Sequence, residues 1–336
     1  MTELMMHAVQ VHTPGGPEVL RYEQVTRPEP QAGEVLVRVH AIGLNPPDWY
    51  MRDGMTILPP EWRPVLAYPL ILGSDISGVV EAVAPDVTDF VPGDEVFGLI
   101  RFPDAPANAY AEYVAAPVTD LAHKPASIDH VHAAAAPMAG LTAWQFLIEL
   151  GHDTVPPFRA ELHRPVPLHE GTRVLVNGAA GGVGHIGVQL AKWKGAHVVA
   201  VASGAHRQFL EELGADEVLD YTVTPPEESG AEFDLVLDSV GGPDTGRFLA
   251  NVTRGGALFP VFSGPVDPEQ AAAAEVSVSS TQVRASGVQL AQLAELLETG
   301  VVRVAIDSTF TLADAQLAHE RAAAGHLEGK IVLTVA

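Results

Sequence analysis

The residues of this chain most able to do chemistry together lie between Val174 and Lys194. A short apolar run, Val174-Leu175-Val176, enters the cluster Asn177-Gly178-Ala179-Ala180-Gly181-Gly182-Val183-Gly184, and a helical pattern follows. Ala179, Gly181 and Gly184 have the spacing of an A-x-G-x-x-G variant of the dinucleotide fingerprint, with Gly182 and Val183 inside it. Such glycines permit a tight turn, let backbone approach a pyrophosphate, and allow the following helix to pack close to its sheet. The free N–H groups at the helix start and its partial positive charge then face the phosphates. A glycine triplet alone is a weak signal, but between a strand and a helix it specifies a dinucleotide site.

The end of the next strand indicates which dinucleotide. A site for NAD places an acidic residue about 20 residues beyond the fingerprint, to hold the ribose 2′-hydroxyl. Here the chain reads Val201-Ala202-Ser203-Gly204, followed by His206 and Arg207, with no acid. A hydroxyl and cationic side chains suit a 2′-phosphate, since arginine forms charge-assisted bidentate bonds to phosphate. NADPH is therefore the expected cofactor.

These residues need a scaffold, and the apolar patterning outlines one. Alternation over 7–11, 34–41, 77–83 and 94–100 predicts half-buried strands, with a turn at Pro92-Gly93. The first ~125 residues read as a strand- and turn-rich domain, a partly closed antiparallel barrel. From about residue 131 the pattern changes to an Ala-rich helical stretch interrupted by Pro137 and Gly140. Strands over 173–177, 197–202, 234–237, 257–262 and 276–283 then alternate with helices over 186–193, 207–213 and 245–252. That alternation predicts βαβ units and a doubly wound parallel sheet. An amphipathic helix over 287–299 stops at Gly300, and a helix over 312–324 and a strand over 330–335 return to the first domain. The expected organisation is a discontinuous catalytic domain, 1–130 and 285–336, around a contiguous nucleotide domain, 131–284.

Bulk properties limit the function. The 336 residues are 47% hydrophobic and 18% charged, the balance of a globular protein with a sizeable core. A formal net charge of −23 argues against nucleic acid and anionic membranes as partners. The chain has no cysteine, so it can build neither disulfides nor a cysteine-ligated zinc site. No signal peptide and no apolar run of ~18 residues is visible, and the expected address is cytoplasmic. Residues 153–169 carry four prolines without periodicity, as a surface loop or a lid-like insertion would.

Further motifs carry a family resemblance. Asn45-Pro46-Pro47-Asp48-Trp49-Tyr50-Met51-Arg52-Asp53-Gly54 resembles the N-P-x-D-x-Y-x-R-x-G segment of quinone oxidoreductases related to zeta-crystallin. Gly73-Ser74-Asp75-Ile76-Ser77-Gly78, Gly93-Asp94-Glu95-Val96, Gly140-Leu141-Thr142-Ala143, Leu213-Gly214-Ala215-Asp216 with Asp220-Tyr221, Asp238-Ser239-Val240-Gly241-Gly242 and Gly325–Leu333 continue the match along nearly the whole chain. The resemblance implies a zinc-independent medium-chain dehydrogenase/reductase: a Rossmann sheet plus a GroES-like barrel, commonly a homodimer. It places Asn45 and Tyr50 at the nicotinamide and the substrate, and Thr142 beside the nicotinamide. Ser203, Arg207 and Tyr221 would surround the 2′-phosphate, although the family's usual lysine near 206–207 is replaced by His206 or Arg207. Val240, Phe262, Ser263 and Lys330 would line the rest of the groove. Zinc-dependent relatives use cysteine at Asn45 and a His-Glu pair at Ser74-Asp75, and neither set is present.

The implied chemistry is hydride transfer to a quinone or α,β-unsaturated carbonyl. Such an acceptor spreads incoming charge onto its own oxygen, so the protein must align the reacting carbons and offer a donor to that oxygen. Tyr50 is the candidate donor, or else a ring packed on the nicotinamide. Asn45 is the candidate orienting group, and Asp48 reads as a turn or helix cap. Two alternatives stay open: a reductase dedicated to one biosynthetic intermediate, for which Trp49 and the Pro-rich insertion are hints, and a non-catalytic NADPH-binding protein. The alternating strand 276–283 is expected to end the sheet and to pair across a two-fold axis.

Overall fold

A computed structural model describes residues 4–155, 162–262 and 264–336. Ser263 and residues 156–161 of the proline-rich segment lie outside the described residues.

The central part of the chain forms a six-stranded, wholly parallel sheet. In spatial order its strands are Glu217–Asp220, His197–Ala202, Arg173–Asn177, Phe233–Asp238, Val252–Pro260 and Ser277–Val278. The buried runs Val174-Leu175-Val176 and Val198–Val201 have no polar alternation because helices cover both faces of such a sheet. Arg173–Asn177 is first in sequence but central in space. Strands succeed it on one side through His197–Ala202 and on the other through Phe233–Asp238. A crevice opens where the order reverses, at the carboxyl end of Arg173–Asn177, and the helix Gly182–Trp193 starts there.

The flanking segments form the second unit. Its core strand, Glu34–Gly43, pairs antiparallel with Asp75–Val83, Tyr113–Pro117 and the C-terminal strand Lys330–Thr334, which pairs parallel with Ile306–Thr311. A second sheet joins Met5–Val11 to Leu20–Thr26 and Leu70–Ile71. The C-terminal strand thus returns to the first unit, as the sequence implied. A backbone bond also ties this unit to the glycine turn: the Gly329 N–H donates to Ala180 O at 2.8 Å.

Three expectations need correction. The segment 245–252 is a 3₁₀ helix over Thr245–Asn251: its N-cap residue Asp244 makes no side-chain cap hydrogen bond, and the Thr245 hydroxyl is drawn to Asp238 at 2.8 Å. The last strand is short, Ser277–Val278, rather than 276–283. From Ser279 the chain turns to side-chain partners instead: the Ser279 hydroxyl bonds His163 Nδ1 at 2.8 Å and the Thr281 hydroxyl bonds His152 Nε2 at 3.3 Å. The proline-rich segment is accordingly not a free loop at its far end. His163 is buried, its Nε2 lies 3.0 Å from Phe146 O, and its ring packs against Phe259.

Candidate active site

The glycine turn follows Arg173–Asn177 directly and is tightly packed. Gly178 has φ +71°, a conformation in which a side chain is strained. Gly184 lies so near the turn that a Cβ would sit 2.2 Å from Gly178 O. Gly181 caps the helix Gly182–Trp193, leaving its first N–H groups facing the crevice. A groove of roughly 450 Å³ runs over this turn. Gly181, Gly182 and Val183 form its floor, and Ser203, Tyr221 and Val240 its walls. Ala179 and Gly184 are buried within the turn and shape it without lining it.

The two basic residues at the adenosine end behave differently. Arg207 does not line the groove. Its guanidinium donates to Val218 O at 3.0 Å and stands 3.7 Å from the Glu211 carboxylate, so the placement expected beside a 2′-phosphate is not seen. The physical reason is helical geometry: Arg207 starts the helix Arg207–Glu212, which directs it along that helix to Glu211 four residues on. His206, one residue earlier, does line the groove. So do Arg247 and His326, which the sequence reading did not single out. Arg247 comes from the 3₁₀ segment, which no motif marks, and His326 from the C-terminal return.

At the opposite end the catalytic unit supplies a buried polar cluster. Asn45 follows the core strand and caps the short helix Pro46–Arg52. Its amide nitrogen donates to Asp75 Oδ2 at 2.9 Å and to Gly43 O at 3.2 Å, and its amide oxygen accepts from the Lys330 ammonium. Every polar position on the Asn45 side chain is therefore engaged, and none of its amide hydrogens is free for a substrate. Lys330 also donates to Leu44 O at 2.6 Å. Asp75 accepts the Met138 N–H at 2.9 Å, near the start of the helix Pro137–Leu147, which carries Thr142. Thr142 is buried and donates its hydroxyl to Met138 O at 2.6 Å, leaving its oxygen lone pairs to receive a donor.

Burial sets the protonation of this cluster. Asp75 is pushed up to about 7 by loss of solvent, opposed by the Lys330 ammonium and the Asn45 amide. Asp48 is pushed up to about 6 by the same cause. The Lys330 ammonium is held below its ordinary value by burial, against the pull of Asp75 and Asp48. Asp48 also fills its expected capping role, accepting the Asn45 backbone N–H at 2.9 Å.

Tyr50 differs from this locked cluster. It is half-buried, on the helix Pro46–Arg52, and its ring faces Phe262 with centroids 6.1 Å apart. Phe262 belongs to the nucleotide unit and Tyr50 to the catalytic unit, so the pair spans the cleft. A Cβ on Gly241 would sit 2.8 Å from Phe262 Cβ, which places Phe262 beside the Val240-Gly241 rim of the groove. Burial and Asp53 raise the Tyr50 phenol above its ordinary value, so it stays protonated at neutral pH and can donate.

The residues present at the Asn45 position do not suit a metal ion. A buried ammonium already satisfies the Asn45 oxygen and balances Asp75 and Asp48, and a dication would have to displace it. Among the described residues no three His, Asp or Glu side chains are arranged to hold a metal.

Comparison with known proteins agrees with this architecture. A model of the alcohol dehydrogenase GroES-like domain matches residues 31–126, and a model described as zinc-binding dehydrogenase matches residues 213–333. The chain is 32% identical over 349 residues to the chloroplastic quinone-oxidoreductase QR1 of Triphysaria versicolor, covering 99% of each chain. The solved quinone oxidoreductase from Coxiella burnetii superposes with a TM-score of 0.84 at 31% identity, covering 99% of this chain and 100% of that one. A mycobacterial protein, Rv1454c, solved in complex with NADPH, superposes with a TM-score of 0.80 at 30% identity, covering 98% and 100%.

Proposed function

Because this chain belongs to the quinone oxidoreductase family of medium-chain dehydrogenases/reductases, we propose that it transfers hydride from NADPH to a quinone or an α,β-unsaturated carbonyl without a metal. That the chain is an NAD(P)H-dependent oxidoreductase follows from its relatives. The choice of NADPH and the acceptor class are our reading.

One observation carries it: at the cleft, a neutral, half-buried phenol, Tyr50, faces the Phe262 ring while the adjacent Asn45–Asp75 pair is closed by Lys330. The nicotinamide supplies the hydride. Tyr50 and Phe262 offer aromatic faces suited to a flat conjugated acceptor. The Tyr50 hydroxyl can hydrogen-bond the oxygen on which charge develops, where a preformed donor stabilises a transition state most. Asn45, with no free donor, acts as a positioning residue that fixes Lys330 against the glycine turn: a Cβ on Gly182 would lie 3.0 Å from Lys330 Cδ. Asp75 aligns the Thr142 helix with the same cluster. A saturated aldehyde lacks conjugation, so the whole of the developing charge falls on the carbonyl oxygen and a single phenol donor stabilises it less than it does the delocalised charge of a quinone or enone.

The test is to follow NADPH oxidation with quinones, enones and saturated aldehydes, with and without a chelator. Turnover restricted to conjugated acceptors and indifferent to chelator is expected. Chelator-sensitive reduction of a saturated aldehyde would overturn the proposal.

We also propose a homodimer formed along the Ser277–Val278 sheet edge, which is short and has one neighbour in its sheet. A monomeric mass by light scattering at micromolar concentration would exclude it.

A further inference from the structure

The helix Pro46–Arg52, which carries Tyr50, runs on into an apolar surface loop. Residues 56–67 contain two charged side chains, Glu61 and Arg63, and three prolines, Pro59, Pro60 and Pro64. Leu66 packs against the core of the catalytic unit, but its neighbour Val65 is fully exposed, Trp62 is 54% exposed and Ile57 is 45% exposed. Among the described residues no other stretch of nine holds three exposed large apolar side chains. Single exposed apolar residues are ordinary on a protein surface, whereas a cluster of them marks a contact.

The loop is closed on itself and on the Tyr50 helix. The Met55 N–H donates to Tyr50 O at 2.6 Å. The Thr56 N–H and hydroxyl donate to the two Asp53 carboxylate oxygens at 3.1 and 2.9 Å. The Arg63 guanidinium donates to Leu58 O at 2.9 Å and to Thr56 O at 3.3 Å, and the Trp62 N–H donates to Pro59 O at 2.9 Å. The donors of the loop are thus turned inward, and hydrocarbon is held outward beside the residue that faces the cleft. The opposite rim is of the same kind: Val240 is 60% exposed, and Phe262, which faces Tyr50, is 37% exposed.

We propose that this loop binds the apolar tail of the acceptor, so that the preferred substrates are quinones bearing an alkyl or isoprenoid chain. The proposal rests on the quinone reading above, which sets the acceptor ring between Tyr50 and Phe262. A chain too long for the cleft must leave it at its mouth, and the surface adjoining Tyr50 there is Ile57, Trp62 and Val65. Hydrocarbon needs neither hydrogen-bond donors nor charge from its site, only apolar area to cover.

Other occupants suit the loop less. A peptide strand adds to a row of backbone N–H groups, and Pro59, Pro60 and Pro64 have none. An anionic bilayer is disfavoured by the net charge of −23.

The experiment uses the whole chain, NADPH and two acceptors, a benzoquinone bearing a decyl chain and the same benzoquinone without it. Each buried methylene is worth about fourfold in affinity, so the decyl quinone is expected to have a kcat/KM about 10-fold or more above that of the tailless one. The gain lies in KM, because the chain touches no reacting atom. Val65→Asp and Trp62→Ser, both at exposed positions, each lower the ratio of the two kcat/KM values by about fourfold or more. Their turnover of the tailless quinone shows that they are folded. A wild type indifferent to the tail, or variants with an unaltered ratio, overturns the proposal and leaves the quinone reading standing. An unaltered ratio combined with a changed mass by light scattering, or with lost sedimentation on phosphatidylcholine vesicles, gives the loop to a second copy or to a bilayer instead. If neither quinone oxidises NADPH, the quinone reading falls and this proposal falls with it.

Discussion

The completely buried Tyr110 hydroxyl stands between Asp48 and His319, 3.2 Å from Asp48 Oδ2 and 3.1 Å from His319 Nε2. The direction of this chain follows from its far end. The Arg52 guanidinium, which can only donate, lies 2.8 Å from His319 Nδ1, so Nδ1 accepts. The ring proton is then on Nε2 and is donated to Tyr110, whose own proton goes to Asp48. Burial, with the Arg52 charge, pushes His319 down to about 3, and the neutral imidazole that this chain requires results.

That assignment sets a stability profile. His319 binds a proton in the unfolded chain below its ordinary 6.5, but in the folded chain only near 3. The unfolded state therefore takes up more protons across this window, and His319's contribution is lost as pH falls through it. His319→Gln removes this term. Between pH 7 and 4.5 the variant is expected to lose roughly 2–3 kcal/mol less stability than the wild type. Denaturant melts at the two pH values measure it, and equal losses would refute the neutral imidazole.

Lys330 makes an expectation of opposite sense. Lys330→Met leaves Asp75 and Asp48 buried without their cation, which costs about 3–5 kcal/mol at pH 8. Both carboxyls have raised values, about 7 and about 6, so they are protonated at pH 5. There the missing ammonium matters less, and the deficit against wild type should shrink. A deficit that is the same at both pH values would show that Lys330 acts through packing alone.

Tyr50→Phe separates the two roles open to that ring. If the hydroxyl serves the developing oxyanion, kcat with a quinone drops about 100-fold. NADPH affinity, read by fluorescence, stays within twofold. An unchanged kcat would leave Tyr50 as a wall of the site.

Gly184→Ala places a Cβ 2.2 Å from the Gly178 carbonyl, so the turn or the helix must shift. The expected costs are about 1–3 kcal/mol of stability and a loss of NADPH affinity of about tenfold or more, as the N–H groups of the turn move off the phosphates. Binding at wild-type strength would mean that the turn does not hold the pyrophosphate.

The sequence carried the nucleotide half of the fold clearly. Arg173–Asn177 and His197–Ala202 were readable to the residue, because strands buried on both faces are continuous apolar runs. The strands Leu20–Thr26 and Ile306–Thr311 were not, since each is largely exposed or polar, and Tyr113–Pro117 was not, since it gains its pairing from Glu34–Arg38, far earlier in the chain. The same limit applies to the site. Asn45, Tyr50 and Lys330 were found through motifs, but that Lys330 closes the Asn45 amide depends on a contact between residues 285 positions apart. Arg207 and His206 are adjacent in sequence, and only the course of the helix decides which one enters the groove.

The bond from Gly329 to Ala180 has a consequence for synthesis. The parallel sheet can assemble as soon as residue 278 has left the ribosome, yet its crevice then lacks one wall. Lys330 and Glu328 come from a segment that emerges after the whole parallel sheet, so a chain truncated before residue 328 would hold a formed glycine turn without the ammonium that closes the Asn45–Asp75 pair. Catalytic competence should therefore arrive in a single late step, when the strand Lys330–Thr334 docks beside Glu34–Gly43.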